Sequence, residues 1–433
     1  MNHRGQPYAK VAAAVLLCLK AVALAGGELG IVSVTQGPAD LTVPADVPAG
    51  EAQRYGLGFP FQVGPTTAAL WVNLRQEDTG VGDFENGSDV VLFSDLATIS
   101  GAASVRLTRN EKWTTPAGEK RILVKFPDVG GFVPLGAKRP DGSPQPYAGT
   151  GFSFCEALEF PMTADGKFSW DAASLRLVEI HQLAFTGQTF RLASTDLRRP
   201  DRPMMLGDSD WHLAAPGLAA AIADGDDLLQ AVQVRHRGKG WTACGVVRWR
   251  SQAGVWQPVS YSEVTVGCSE PTLIRDRDGT LLVTARTYGD DFNAIRVWRS
   301  SDSGASWTTA MRVPQIREPA PLSLNRAADG TPYIAANPLG QARSVLKLWP
   351  LDAGRANLGE PLVAQEPRKG LSQSVDHPTS ATLRLTDGKW HHVLVYRMRL
   401  GGEDQTGARR VGCCVEEVFA RGTAVPTWPF AEP

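Results

Sequence analysis

This 433-residue chain has little excess charge, with 44 Lys and Arg against 45 Asp and Glu and a formal net charge of −1 when the seven His are neutral. That balance gives no long-range field to draw in nucleic acid or an anionic membrane surface, so neither is an expected partner. Cysteines number six, with no C-x-x-C pair, and the adjacent Cys413 and Cys414 suit zinc poorly. No H-E-x-x-H stretch or carboxylate cluster at metal-ligand spacing occurs, so no metal and no cofactor are expected. "GTGF" at 149–152 lacks the third glycine and the flanking strand and helix of a dinucleotide site. Past residue 25, no apolar run is long enough to span a bilayer. Amphipathic helical segments are also missing from the repeated second half described below. Hydrophobic residues at 43% and charged residues at 21% give a globular balance that excludes disorder. Plentiful Gly (44) and Pro (30) fit many short strands joined by turns, an all-β chain.

The N-terminus reads as a secretory signal. Arg4 and Lys10 precede the apolar run "VAAAVLLCL" (11–19), and small residues at Ala23 and Ala25 place cleavage after Ala25. A buried N-terminal helix is the alternative, because Lys20 interrupts the apolar region. Cleavage removes Arg4, Lys10 and Lys20 and no acid, giving residues 26–433 a net charge of −4. The expectation is an exported or periplasmic protein of one domain, 26–433, acting as a monomer. Cys155, Cys244, Cys268, Cys413 and Cys414 would remain, an odd count that leaves at least one thiol free or joined to another chain. Cys244 and Cys268 could bridge neighbouring strands or stand as small buried hydrophobes.

Asp-Gly pairs recur before apolar runs at Asp224, Asp278, Asp329 and Asp387, with separations of 54, 51 and 58 residues. An X-Pro step precedes each one: Ala215-Pro216, Glu270-Pro271, Ala320-Pro321 and His377-Pro378. X-Pro, strand, Asp-Gly hairpin, strand is thus a repeating unit, and its period predicts the blades of a β-propeller. Residues 26–433 hold about seven such units, or six if the loops are enlarged. Six blades of four antiparallel strands are expected, because the first half carries long insertions; seven is the alternative. Strands there are predicted at 66–75, 88–95, 119–126 and 175–183, and 129–154 is predicted to be a long loop.

"SSDSGASW" (300–307) is predicted to be a hairpin tip, with Asp302 accepting backbone N–H groups and Gly304 taking a positive φ. "GVVRWRSQAGVW" (245–256) resembles a shortened copy, and Trp256 and Trp307 stand 51 residues apart. Each tryptophan is expected to pack between blades. If the X-Pro steps are equivalent, their X residues ring the central mouth. There Glu270 and His377 replace the alanines of the sibling units, which marks them as acid, base or orienting groups. The bland alternative has Glu270 pairing with an arginine and His377 capping a strand. His391 and His392 are consecutive on a strand and must face opposite sides. Trp113 and Tyr147 could stack on sugar rings or be structural.

Ser300-x-Asp302-x-Gly304-x-Ser306-Trp307 resembles the Asp-box of the sialidase (neuraminidase) superfamily, whose fold is a six-bladed β-propeller. "SEPTLIRDRDGTLLVTAR" (269–286) and "NPLGQARSVLKL" (337–348) are similar to two sialidase blades, and the likeness runs over about 210–400. The resemblance implies that Glu270 polarises a nucleophilic tyrosine and that Arg286 and Arg343 belong to an arginine triad gripping the substrate carboxylate. Converging guanidinium forks recognise a carboxylate in a way lysine could not. Arg54 is the candidate third arginine, with Arg75 its competitor, and Asp78 and Asp83 are the candidate acid/base aspartates. The family's tyrosine has no aligned counterpart: "SVDHPTSATLRLTDG" (374–388) carries His377 instead, leaving Tyr147, Tyr288 and Tyr396 as phenols supplied from elsewhere. Three functions follow, each with an acidic carbohydrate as partner: an exo-glycosidase, a non-catalytic glycan-binding propeller, or a polysaccharide lyase with His377 or a tyrosine as base.

Overall fold

The glycines of the four Asp-Gly pairs set the frame. Gly225, Gly279, Gly330 and Gly388 have φ of +63°, +88°, +87° and +76°, a region open to glycine and costly for other residues. Each reverses the chain between two antiparallel strands, as the repeat predicts. The computed structural model describes residues 29–33, 53–76, 85–135, 148–164, 175–185, 190–198, 211–402 and 410–420, a few single positions apart.

The first strand, β1 (Leu29–Ser33), stands apart from the sheets that follow it in sequence. The first sheet runs β2 (Gln53–Gln62), β3 (Ala68–Gln76), β4 (Glu85–Phe93), β5 (Ser104–Arg109). The second holds β6 (Glu111–Thr114), β7 (Lys120–Leu135), β8 (Ala148–Pro161), β9 (Leu175–Phe185) and β10 (Phe190–Arg198). The third holds β11 (Trp211–Pro216), β12 (Ile222–Asp224), β13 (Asp227–His236), β14 (Thr242–Gln252) and β15 (Val255–Val266). The fourth is β16 (Cys268–Arg275), β17 (Leu281–Thr287), β18 (Ile295–Ser300), β19 (Thr308–Val313). The fifth is β20 (Ser323–Arg326), β21 (Pro332–Ala336), β22 (Leu346–Pro350), β23 (Leu362–Gln365). β24 (Leu371–Arg384), β25 (Trp390–Gly402) and β26 (Arg410–Ala420) form the sixth, and β1 completes it by pairing with β26, Leu29 opposite Ala420.

Among the described residues the sheets number six, all antiparallel, and each packs on the next until the sixth meets the first. A separate apolar cluster fills each of these junctions. Leu70, Val91, Leu383 and Val415 sit between the sixth and first sheets, and Phe61, Trp71 and Phe185 between the first and second. Phe152 stacks on Trp249 between the second and third, with ring centroids 4.1 Å apart. Leu229, Val246, Leu273 and Val283 lie between the third and fourth. Ile295, Leu324 and Trp349 join the fourth to the fifth, and Tyr333, Leu348 and Met398 the fifth to the sixth. Repetition around a ring of face-packed sheets is a β-propeller.

Two expectations need correction. Two sheets have five strands where four were expected: β6 extends the second, and the third has a split inner strand, with β11 and β12 both on β13. Pro216 has no N–H to donate and ends β11, and the chain rejoins the sheet at Ile222. The expected long loop at 129–154 is mostly strand, since β7 and β8 extend through Leu135 and from Ala148. Its glycines permit close approach; a Cβ on Gly151 would lie 2.2 Å from the Gly131 carbonyl. Of the two readings of the cysteines, the structure has small buried groups: Cys244, Cys268, Cys413 and Cys414 are buried free thiols, and burial pushes the Cys244 thiol well up.

"SSDSGASW" forms the outer turn between β18 and β19. Asp302 Oδ1 accepts from Ser300 Oγ at 2.6 Å and from the Ser306 N–H at 3.0 Å, while Ser306 Oγ donates to Oδ2 at 2.5 Å. Hydrogen bonds from Ser300 and Ser306 hold this carboxyl far below the usual range. Gly304 has φ +89°, and the Trp307 indole donates to Ser262 Oγ of β15 at 3.0 Å, across the blade junction. A further turn of this kind escaped sequence reading. In "LDAGRANLG" (351–359), Asp352 accepts from the Ala356 N–H at 2.8 Å and from Asn357 Nδ2 at 2.8 Å. Asp302→Ala is expected to lower the thermal unfolding midpoint while leaving ligand affinity at the parent's value, checked by calorimetry and titration.

Candidate functional site

Glu270 and His377 share one backbone anomaly, a left-handed φ of +51° and +52°. Residues with a Cβ rarely adopt it, and a following proline normally drives the preceding residue into extended backbone. Both lie in a β-bulge: the β16–β17 register skips between Ser269 and Thr272, and the β24–β25 register between Asp376 and Thr379. Bulges re-aim side chains beside active sites, and conformations of this type cost about 1–3 kcal/mol each. Ala215 and Ala320 lack a positive φ, so the expected equivalence of four X-Pro steps reduces to two. In the third sheet the bulge falls earlier, between Leu213 and Ala215, and in the fifth the inner strand starts only at Ser323.

β2 skips register between Tyr55 and Gly58, which puts Arg54 at the same end of its sheet. Arg54 is the register partner of Arg75, so the two rival candidates form one cross-strand pair. Asp78, Asp83 and Tyr147 lie outside the described residues.

Arg286, opposite Ser269 in register, donates from Nη1 to Glu270 Oε2 at 3.3 Å, and both side chains are 25% exposed. Its Nε is buried with no hydrogen-bond partner among the described residues. Tyr288, half exposed, shares a 2.6 Å hydrogen bond with Ser269 Oγ, and the Arg286 guanidinium carbon lies 5.8 Å from its ring centre. Tyr396, by contrast, is fully buried and donates to Glu416 Oε1 at 2.9 Å; burial pushes its phenol well up and removes it from the candidates.

Around His377 the charges are denser. Asp376 and Arg397 face each other in register, are 1% exposed, and make a bidentate pair at 2.6 and 3.0 Å. His377 Nδ1 lies 2.8 Å from Asp376 Oδ1 and 3.1 Å from Arg397 Nη2, and Arg343 Nη1 reaches Asp376 Oδ2 at 3.3 Å. Burial acts to raise the Asp376 carboxyl, but Arg397 and His377 overcome it and hold the group well below the carboxylate range.

Segment 317–319 links the two groups. Arg317 is fully buried and donates to the carbonyls of Ala294, Glu318 and Ala320 and to Thr287 Oγ1. Burial and then neighbouring Arg286 pull its guanidinium down to about 10, against the attraction of Glu270. Pro319 O accepts from Arg343 Nη2 at 3.3 Å. Glu270 thus meets Arg286 directly, and His377 meets Arg343 through Asp376. The register makes Arg397, not Arg343, the blade equivalent of Arg286, since each faces the residue before an X-Pro step. Arg343 belongs to the turn between β21 and β22. Sequence reading missed Asp376, Arg397 and Arg317; lining up "SEPT" (269–272) with "DHPT" (376–379) would have exposed the first.

His391 and His392 face opposite ways, as alternation requires. His392 is buried against the Tyr333 hydroxyl at 2.8 Å and pulled down to about 3 by burial, whereas His391 bridges Glu417 and Asp387 and is raised by them. Trp113 is exposed on β6. No group of three or more His, Cys, Asp and Glu that could hold a metal occurs among the described residues. No helix there is long and apolar enough to cross a membrane.

No protein-family model and no curated protein matches this chain in sequence. Solved structures do match in three dimensions. A protein of unknown function from Dyadobacter fermentans superposes with a TM-score of 0.50 at 11% identity, covering 90% of this chain and 99% of that one. The Hadza microbial sialidase Hz136 gives 0.50 at 11% identity, over 85% of this chain and 66% of its own length. The chain therefore has a sialidase-like β-propeller fold.

Proposed function

We propose that this protein is an exported, carbohydrate-active propeller whose site takes an acidic, sialic-acid-like sugar, and that it acts as an exo-glycosidase. The sugar carboxylate docks on Arg286 and Arg343. What carries this reading is Arg286: its side chain is 25% exposed, and Glu270 meets its guanidinium through a single 3.3 Å hydrogen bond. A ligand carboxylate supplies the missing charge-assisted bonds. Glu270 is then the acid, base or polarising group, and Tyr288 offers a phenol beside it. Export leaves the ring intact, because cleavage after Ala25 falls short of β1 at Leu29; mass spectrometry of the exported form should show a terminus near Gly26.

A second reading rests on His377. Its Nδ1 faces a buried carboxylate at 2.8 Å, while Nε2 has no partner among the described residues, an arrangement suited to a general base. In a lyase this base would take the proton α to a uronate carboxylate; the β C–O bond would break, and the leaving alkoxide would be protonated. A panel of acidic glycans separates the possibilities. Release of a free acidic sugar, lost in Glu270→Gln, supports the glycosidase. A rise in ultraviolet absorbance on uronate polymers, from the new conjugated double bond, establishes the lyase. Binding with neither product marks a glycan-binding propeller. In each case Arg286→Ala is expected to weaken the acidic ligand by about 1.5–3 kcal/mol, roughly ten- to a hundredfold.

A further inference from the structure

Three successive backbone N–H groups, those of Gly340, Gln341 and Ala342, converge on one oxygen of Glu318. Their distances to Oε1 are 2.7, 3.1 and 3.3 Å. Consecutive N–H groups aimed at one point form an anion-binding concavity, and here the chain fills it with its own carboxylate. The turn so held is strained. Gly340, Ala342 and Arg343 have φ of +82°, +45° and +62°, two of them non-glycine residues in sequence. Such a conformation persists only where the surroundings over-determine it.

Both ends of the clamp are anchored. The Glu318 N–H donates to Asn337 O at 2.9 Å, and Glu318 O accepts from buried Arg317 at 2.9 Å. Past the clamped turn, Arg343 O accepts from the Val375 N–H at 2.8 Å, next to Asp376. The Arg343 guanidinium itself makes two long contacts, 3.3 Å each, to Asp376 and to Pro319 O. Its place is therefore set more by its backbone than by its own side-chain bonds.

We infer that Glu318 is a positioning residue for Arg343: its carboxylate replaces an external anion in the 340–342 concavity and fixes the strained turn from which Arg343 reaches an acidic ligand. This rests on the acidic-ligand reading above. A carboxylate is suited to the role because three N–H donors to one anionic oxygen outweigh the same bonds to a neutral one. Gln keeps an acceptor oxygen, and Ala removes it.

The test uses the full chain, N-acetylneuraminic acid as probe, and the variants Glu318→Ala, Glu318→Gln, Arg343→Ala and Glu318→Ala/Arg343→Ala. Glu318→Ala should weaken binding about tenfold, with Glu318→Gln between it and the parent. In the Arg343→Ala background, adding Glu318→Ala should change affinity little, because the two act through one group. Equal losses in both backgrounds would overturn the inference. Two ligand-free readouts stand beside titration. In Glu318→Ala and Glu318→Gln, the amides of 340–342 should exchange with solvent faster, and the Arg343 Nε–H resonance should shift while that of Arg286 holds. If those signals match the parent's, Glu318 does not position Arg343, whatever the probe does. If they move as expected but the parent fails to bind the probe, the clamp stands and the sialic-acid-like ligand is the part that falls. Should the alanine variant not fold, the glutamine variant carries the same comparison.

Discussion

Replacing Arg397 by methionine is expected to lower unfolding stability by about 3–5 kcal/mol, measured by urea denaturation. The substitution leaves Asp376, 1% exposed, without the bidentate partner that holds its two oxygens at 2.6 and 3.0 Å. Removing both charges, in Asp376→Leu/Arg397→Met, should restore part of the loss, since the penalty lies mainly in an uncompensated buried charge. Acid unfolding gives an independent check. The Asp376 carboxyl sits well below its unfolded value, so its contribution is present above the unfolded pKa and is lost as pH falls through the folded one. In Arg397→Met the depression shrinks, with His377 still beside the carboxylate, and the stability lost below about pH 4 should be smaller than in the parent.

Opening the ring should have an effect of similar size. Leu29→Asp places a charge where the side chain is 3% exposed within the cluster of Tyr333, Val375 and Leu394, and is expected to cost about 3 kcal/mol or more. Deleting residues 29–33 should cost more still, because the outer edge of β26 loses its partner strand along with the packing. A chain beginning at Gly26 should unfold like one beginning at Met1. Were the 29–33 deletion equally stable, β1 would not be a closing element.

How much of this could be read from the residues depended on how local the physics was. The Asp-Gly turns were legible because a tight reversal demands a positive φ that the sequence answers with glycine each time. The Asp302 turn was legible for the same reason. Its relative at Asp352 was not, because Ala356 stands where the first turn has the hydroxyl of Ser306, and the side-chain donor is Asn357 one place further on. In the first half, strand ends at Gln76 and Phe93 fell within a few residues of expectation, but Gly130, Gly131 and Gly151 looked like loop residues although they serve close backbone contact. Glu270, Arg286, Arg343 and His377 stood out by type and position. Asp376 and Arg397 did not, since their pairing depends on a cross-strand register. Glu318 was hidden for a related reason: its partners are main-chain groups of another turn.

The pairing of Leu29 with Ala420 also orders the making of the molecule. The strand that leaves the ribosome first meets its partner last, after the rest of the chain has been synthesised. Until then the sixth sheet lacks its outer strand and β26 offers an open edge to any other chain. Contacts this distant in sequence close slowly, so the interval is long on the scale of local folding. On the export proposed above, the chain would pass through that interval on the far side of the membrane.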